Sequence, residues 1–378
     1  MKITSQFRFD TNLGNLPNLL NRILAHKKAL GAVLHTGTAR HHRGNPAASL
    51  RVEKLYAASV LLSGLATQIL MKSEVDMVEQ HHKVTLEGLM RLHPRTPRCV
   101  VAFLGGSLPG SALIHLRMFS LFGMICRSPY SILHSHAINI LTVAKSSSKS
   151  WFLEIRTLSL QYRLPHPLTL LQSPPSKDSF KKLVNHKVVD YWETKLREEA
   201  KPLTSLKFFK PHFMSLTAPH PIWTTAGSSP YQVAMSTVQG TMISGRYRTE
   251  QLCSNFANDK TGFCQTTHCK GLDHVEDLQH ILADCPALEE TRTKLKNFTT
   301  NYSQSLPVIQ PFLKILSSPS NPSYCQFLVD CSVLPEVISA TQTYGPQLLD
   351  HLFKITRTWC YCLHRTRLRI LGRWQRFH

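Results

Sequence analysis

The chain has 378 residues, 42 % of them hydrophobic, with 44 Lys and Arg against 23 Asp and Glu, a formal net charge of +21. That length leaves room for two or three compact units with real cores. The charge excess favours a polyanionic partner, either nucleic acid or an acidic membrane surface, and charge alone does not separate the two. Ten cysteines are far too few for a disulfide scaffold.

Residues 1–15 lack an apolar core of secretory length, and the expectation is an intracellular protein, nuclear or cytoplasmic. Nothing before Leu16 resembles a domain boundary, so the chain reads as starting inside a larger fold. Leu16, Leu19, Leu20, Ile23 and Leu24 then make one helical stripe. A basic, turn-rich stretch through Gly44, Asn45 and Pro46 closes this first segment, 1–49.

Residues 50–127 read as a helical unit. Two apolar runs lie here, 57–71 and 110–126. The first is short and broken by polar residues, and the second carries His115 and Arg117 at its middle. A spanning helix needs about 20 apolar residues, so both are expected as core helices and no membrane partner is expected. Between them, Ser73 is placed as the cap of a helix that Pro94 and Pro97 end. His81, His82 and His115 have no cysteine or carboxylate cluster with them and are read as surface or core histidines rather than ligands.

Residues 128–230 are expected as a helical connector with disordered linkers. KSSSKS at 145–150 and LQSPPSKDS at 171–179 mark two of them. The clearest helix is 178–199, with Phe180, Leu183, Val184, Val188, Tyr191 and Trp192 on its apolar side. Pro202, Pro211, Pro219, Pro221 and Pro230 then interrupt the chain, and loose order is the expectation there.

Residues 231–298 hold the most informative pattern. Cys264, Cys269, His280 and Cys285 form a C-x4-C-x10-H-x4-C series. Thiolates and imidazole are the ligands of tetrahedral zinc, and a close cysteine pair followed by a His/Cys pair is the layout of a structural site. One zinc ion is the expected cofactor. His268 and His274 are alternative ligands, and buried or free thiols are the competing explanation. Val275, Leu278, Ile281 and Leu282 recur at helical spacing ahead of Asp284-Cys285-Pro286, which reads as a helix end. Upstream, Arg246 and Arg248 flank Tyr247, an alternation suited to phosphate contact with base stacking and equally to a solvated helix end.

The last segment, 299–378, passes through SLPVIQP and SSPSNPS into an amphipathic helix at 346–376. Leu352, Trp359, Leu363, Ile370 and Trp374 align on one face, and Lys354, Arg365, Arg369 and Arg376 gather on the other. Residues 351–378 contain no Asp or Glu. A basic helix along a phosphate backbone is the functional reading, and a solvated outer face the competing one. The expected fold class is mainly α: small helical units joined by Pro/Ser-rich linkers, with one small zinc-binding CCHC-like module. No adjacent aspartate pair, phosphate-binding loop, H-E-x-x-H or G-x-S-x-G occurs. No catalytic residue is therefore assigned.

Three stretches together resemble the C-terminal part of a non-LTR retrotransposon polyprotein, downstream of the reverse transcriptase palm. Residues 50–127 are similar to the thumb-side region, 245–292 to the Cys/His motif, and 352–374 to the basic tail. The resemblance implies that Cys264, Cys269, His280 and Cys285 take zinc-ligand places and that RNA or DNA is the partner. The family's spacing is tighter between the two cysteines and before the histidine. The palm's Tyr/Phe-Ala-Asp-Asp is absent, so the likeness implies descent from a polymerase without polymerase activity in this segment. Three rivals follow: a thumb that needs a palm supplied elsewhere, a zinc-dependent protein-interaction module, and a non-functional relic.

Overall fold

The computed structural model describes residues 15–33, 44–145, 148–256 and 261–373. Over these the chain is mainly helical, and its sole β pairing is one antiparallel bridge between Phe263 and Val275. The first helices are α1 (Leu16–Val33), α2 (Pro46–Val52), α3 (Ala58–Leu61), α4 (Lys72–Met90), α5 (Arg98–Gly105) and α6 (Gly110–Cys126). They continue with α7 (Ile132–Val143), α8 (Trp151–Gln161), α9 (Pro167–Gln172) and α10 (Lys177–Ala200). Then come α11 (Pro221–Thr224), α12 (Pro230–Ile243) and α13 (Glu250–Ser254) ahead of the cysteine-rich segment. After it follow α14 (Glu289–Gln304), α15 (Gln310–Ser317), α16 (Tyr324–Val329), α17 (Pro335–Tyr344) and α18 (Gln347–Ile370).

Two helices act as hubs. In the first part α6 packs against both α4 and α10. Phe119 and Phe122 of α6 are fully buried with Val78 of α4 and Val188 of α10. Gly123 lets the two helices approach, because a Cβ there would lie 2.6 Å from the Phe180 ring. In the second part α18 is wrapped by α12, α14, α16 and α17. Phe180, Val184, Val188 and Trp192 of the expected α10 face are all buried.

No single described helix is long and apolar enough to cross a membrane. The bent pair α5 and α6 passes the length and composition test only when joined, across a 59° bend. Its side chains form the core: seven of the eight α5 residues are buried.

Several local expectations change. Ser73 does not cap α4. Met71 occupies the cap position, and the Glu74 carboxylate accepts from the backbone N–H groups of Met71 (2.7 Å) and Asn15 (3.1 Å). A carboxylate satisfies the orphan donors and also complements the helix dipole, which a hydroxyl does not. Of the α1 stripe, Leu19 and Ile23 are buried while Leu16, Leu20 and Leu24 stay exposed.

The proline-rich stretch after α10 is packed rather than loose. Phe208, Phe209, Met214, Leu216, Ile222 and Trp223 are buried. Pro211, Pro221 and Pro230 each open a helical turn, where a missing N–H removes no bond. Arg197 donates to the carbonyls of Pro211 and Met214, and the His220 N–H donates to Leu104 O. Gly106 (φ +57°) sits under this segment, where a Cβ would lie 2.0 Å from the Ala218 carbonyl carbon.

The last helix also differs from a simple two-faced pattern. Leu352, Trp359 and Leu363 are buried as expected, but so are Phe353, Ile355, Arg357, Cys360 and Arg367. Ile370 is 38 % exposed. With four helices around it, α18 buries most of its circumference and leaves a narrow basic strip. Trp374 and Arg376 lie outside the described residues.

Candidate metal centre and the basic recess beside it

A loop pinned at its base presents the first two cysteines. The Phe263–Val275 bridge, the Cys264 N–H to His274 O bond (2.8 Å) and the Glu276 N–H to Gly262 O bond (3.0 Å) close it. Gly262 (φ +79°) and Gly271 (φ +87°) take the left-handed conformations that the reversal requires. Within the loop, the Cys269 and Lys270 N–H groups donate to Thr266 O at 3.0 and 2.9 Å. That turn folds the x4 spacer back and brings Cys269 towards Cys264.

The second pair comes from one short helical turn. The Asp277 carboxylate accepts from the His280 N–H (2.7 Å), which starts the turn. Cys285 ends it by donating its N–H to His280 O at 2.7 Å. This is a widened turn (His280–Asp284), shorter than the expected helix. Val275 belongs to the bridge and is 46 % exposed, while Ile281 and Leu282 are buried. From α14, the buried Arg292 donates to Cys285 O (2.6 Å).

The four predicted side chains converge. Cys264, Cys269, His280 and Cys285 are all buried, and their ligand atoms lie within 4.8 Å of one another. Cys269 Sγ is 3.6 Å from His280 Nε2 and 3.9 Å from Cys285 Sγ. This group could hold one metal ion. The alternative ligands do not join it: His268 is exposed, and His274 stacks on His280 with ring centroids 5.8 Å apart.

Electrostatics in the cluster divide its protons unevenly. Hydrogen bonding from Cys285, His280 and Thr266 pulls the Cys264 thiol down to about 3. Its thiolate then pushes Cys285 up, while burial raises Cys269 and the Cys264 contact raises His280. A single thiolate is favoured and further ones repel, so all three sulfurs would ionise together only around a cation.

The module is tied to α18 through a carboxylate that the sequence pattern does not mark. Glu276, 1 % exposed, accepts from the Arg367 guanidinium and from the Glu250 N–H (2.8 Å). The Arg367 guanidinium also lies 5.9 Å from the Tyr247 ring centroid. Tyr247 bonds through its hydroxyl to His364 Nδ1 at 2.9 Å. Burial pushes Tyr247 up to about 12 and His364 down to about 4, so both are neutral at physiological pH.

Tyr247 is therefore largely buried, at the floor of the surface that the Arg/Tyr alternation is expected to present. The turn at Gly245 (φ +63°) directs it inward, and Arg246 and Arg248 line a solvent recess of about 590 Å³. Arg95, Arg367 and Arg373 line it too, with Phe256, which is 64 % exposed. Arg367 and Arg373 are paired with Glu276 and Glu250. Among the described residues Arg95, Arg246 and Arg248 have no carboxylate partner. Sequence reasoning missed Arg95 and Phe256, which lie in unrelated loops with no shared spacing.

Lys354, Arg365 and Arg369 are exposed on α18. The Lys354 ammonium lies 4.8 Å from the Tyr302 ring centroid and the Arg365 guanidinium 5.8 Å from that of Tyr361. Arg365 and Arg369 line a separate shallow groove against Thr291 and Lys294 of α14.

A buried Ser-His-Asp grouping elsewhere lacks the order of a relay. Asp330 Oδ2 (3.2 Å) and Ser332 Oγ (3.3 Å) both meet His220 Nε2, while His220 Nδ1 accepts from the Ile222 N–H. A nucleophile and its orienting carboxylate belong on opposite ring nitrogens. The grouping instead ties the proline-rich segment to the turn before α17. Compared with protein-family models, curated proteins and solved structures, the chain finds no match.

Proposed function

We propose that this chain is a nucleic-acid-binding segment closed by one structural zinc ion, akin to the C-terminal part of a non-LTR retrotransposon polyprotein without its catalytic palm. The observation that carries the reading is a buried Cys3His cluster joined through Glu276 and Arg367 to an arginine-lined recess. Zinc–sulfur bonds of about 2.3 Å set tetrahedral sulfurs roughly 3.8 Å apart, and Cys269 Sγ and Cys285 Sγ are 3.9 Å apart. Three thiolates and one imidazole leave no open position, which is the donor set of a structural rather than a catalytic ion.

Zinc fixes the loop-rich segment by joining its loop to the His280–Asp284 turn, since binding to ligands that folding assembles adds to folding stability. The net charge of +21 and the exposed cations of α18 supply a salt-dependent grip on phosphates. Under this reading the segment contributes binding rather than chemistry, and primer extension with a palm supplied in trans tests the polymerase-thumb rival.

Metal content and affinity for single-stranded RNA and DNA, measured on the parent, Cys264→Ser and His280→Ala, test the proposal. The expected result is one zinc per parent chain, loss of zinc in both variants, and affinity that falls steeply with salt. Unchanged metal content in both variants rejects the ligand set. Tight binding to a protein with no nucleic-acid affinity points instead to an interaction module.

A further inference from the structure

The recess beside the metal module has the chemistry of a site for a phosphorylated nucleoside. Four segments wall it: the loop after α4, α12 with the turn that follows, α13, and the end of α18. Its volume of about 590 Å³ falls inside the range of roughly 300–1,000 Å³ typical of small-molecule pockets. Five guanidinium groups line it, and among the described residues only Arg367 and Arg373 are neutralised by carboxylates. The remaining charge is concentrated on Arg95, Arg246 and Arg248. The Nε of Arg246 is buried without a hydrogen-bond partner among the described residues, a donor open to a ligand.

Beside this charge lies an apolar wall of Phe256, Leu252 and Val238. A guanidinium cluster next to an exposed aromatic ring suits a phosphate joined to a planar base. A terminal phosphomonoester, with three free oxygens and close to two charges, matches the Arg95, Arg246 and Arg248 cluster better than an internal diester does.

We infer that this recess binds the terminal nucleotide of a nucleic-acid strand, with its phosphate on Arg95, Arg246 and Arg248 and its base against Phe256, an inference that rests on the nucleic-acid reading above. It adds to that reading a defined end-binding pocket, separate from the exposed strip on α18. A free mononucleotide offers the same chemistry, so the test must distinguish the two sources.

The test uses the full zinc-loaded chain and short oligothymidylates labelled at one end, with a phosphate or a hydroxyl at the other. Fluorescence anisotropy reads affinity, and unlabelled dTMP serves as competitor. At one of the two ends the phosphorylated strand is expected to bind about tenfold tighter than its hydroxyl counterpart. Arg246→Ala/Arg248→Ala should erase that preference, so that phosphorylated and hydroxyl strands bind alike in the variant. Phe256→Ala, at an exposed position, should weaken the phosphorylated strand by about fivefold and covers the case in which the double arginine variant fails to fold.

Equal affinity for phosphorylated and hydroxyl strands at both ends, unchanged in the arginine variant, overturns the pocket and leaves the nucleic-acid reading standing. No strand binding, but arginine-dependent binding of dTMP, overturns the strand-end assignment together with that reading and identifies a free-nucleotide site.

Discussion

Replacing Glu276 by alanine is expected to destabilise the protein by about 3–5 kcal/mol, because it strands a buried charge. Glu276 and Arg367 are 1 % and 3 % exposed, and Glu276 also accepts the Glu250 N–H at 2.8 Å. Without the carboxylate, Arg367 keeps its charge, with the Tyr247 ring face at 5.9 Å and a Glu250 carboxylate already paired with Arg373 left to offset it. Arg367→Met should cost less, about 1–3 kcal/mol, since the remaining carboxylate can take up a proton and still accept the Glu250 amide. The pair Glu276→Gln/Arg367→Met restores neutrality and should lie within about 1–2 kcal/mol of the parent. Urea denaturation in zinc-containing buffer, arranged as a double-mutant cycle, reads these values directly. A domain's whole stability is only about 5–15 kcal/mol, so the alanine variant should show a plainly lower midpoint. If Glu276→Ala and Arg367→Met each cost under about 0.5 kcal/mol, the tie between the metal module and α18 is not structural and the reasoning fails.

Gly106→Ala should lose at least about 2 kcal/mol, since it combines a left-handed backbone with collision against the Ala218 carbonyl; a thermal midpoint equal to the parent's would contradict the packing of the proline-rich stretch. Acid should weaken the fold over a defined window. Burial lowers His81, His115 and His364 from 6.5 to about 4. Each favours its neutral form when folded, so their contribution is full above pH 6.5 and is lost as pH falls towards 4. Thermal unfolding from pH 7 to 4 should show that decline, and His115→Phe should flatten it. Lys354→Ala/Arg365→Ala/Arg369→Ala should weaken RNA and DNA binding whatever the sequence and reduce the slope of log affinity against log salt by about 2–3; an unchanged slope removes the α18 strip from the interface.

The metal cluster was legible because chelation is local. Cys264 and Cys269 belong to one loop, His280 and Cys285 to one turn, and ligand chemistry limits which side chains qualify. Helical periodicity likewise marked the buried faces of α10 and part of α18. Helix ends were less legible: Glu74 caps α4 through the Met71 N–H and also takes the Asn15 N–H, 59 residues away. The proline-rich stretch misled because its apolar residues follow no period. Each of Phe208, Met214 and Trp223 enters the core from a separate short turn.

What the sequence determined by itself was a strong positive charge, a helical class and four candidate ligands in series. Which cations face solvent was decided only in three dimensions. Arg357 and Arg367 look no different along the chain from Arg365 and Arg369, yet the first two are buried and the last two exposed. The difference lies in partners far away in sequence: Glu276, 91 residues from Arg367, and the Thr225 carbonyl, 132 residues from Arg357. A charge can be taken from water only where such a partner meets it. Helix periodicity tells which residues share a side, but the surrounding helices decide how many sides of α18 are covered.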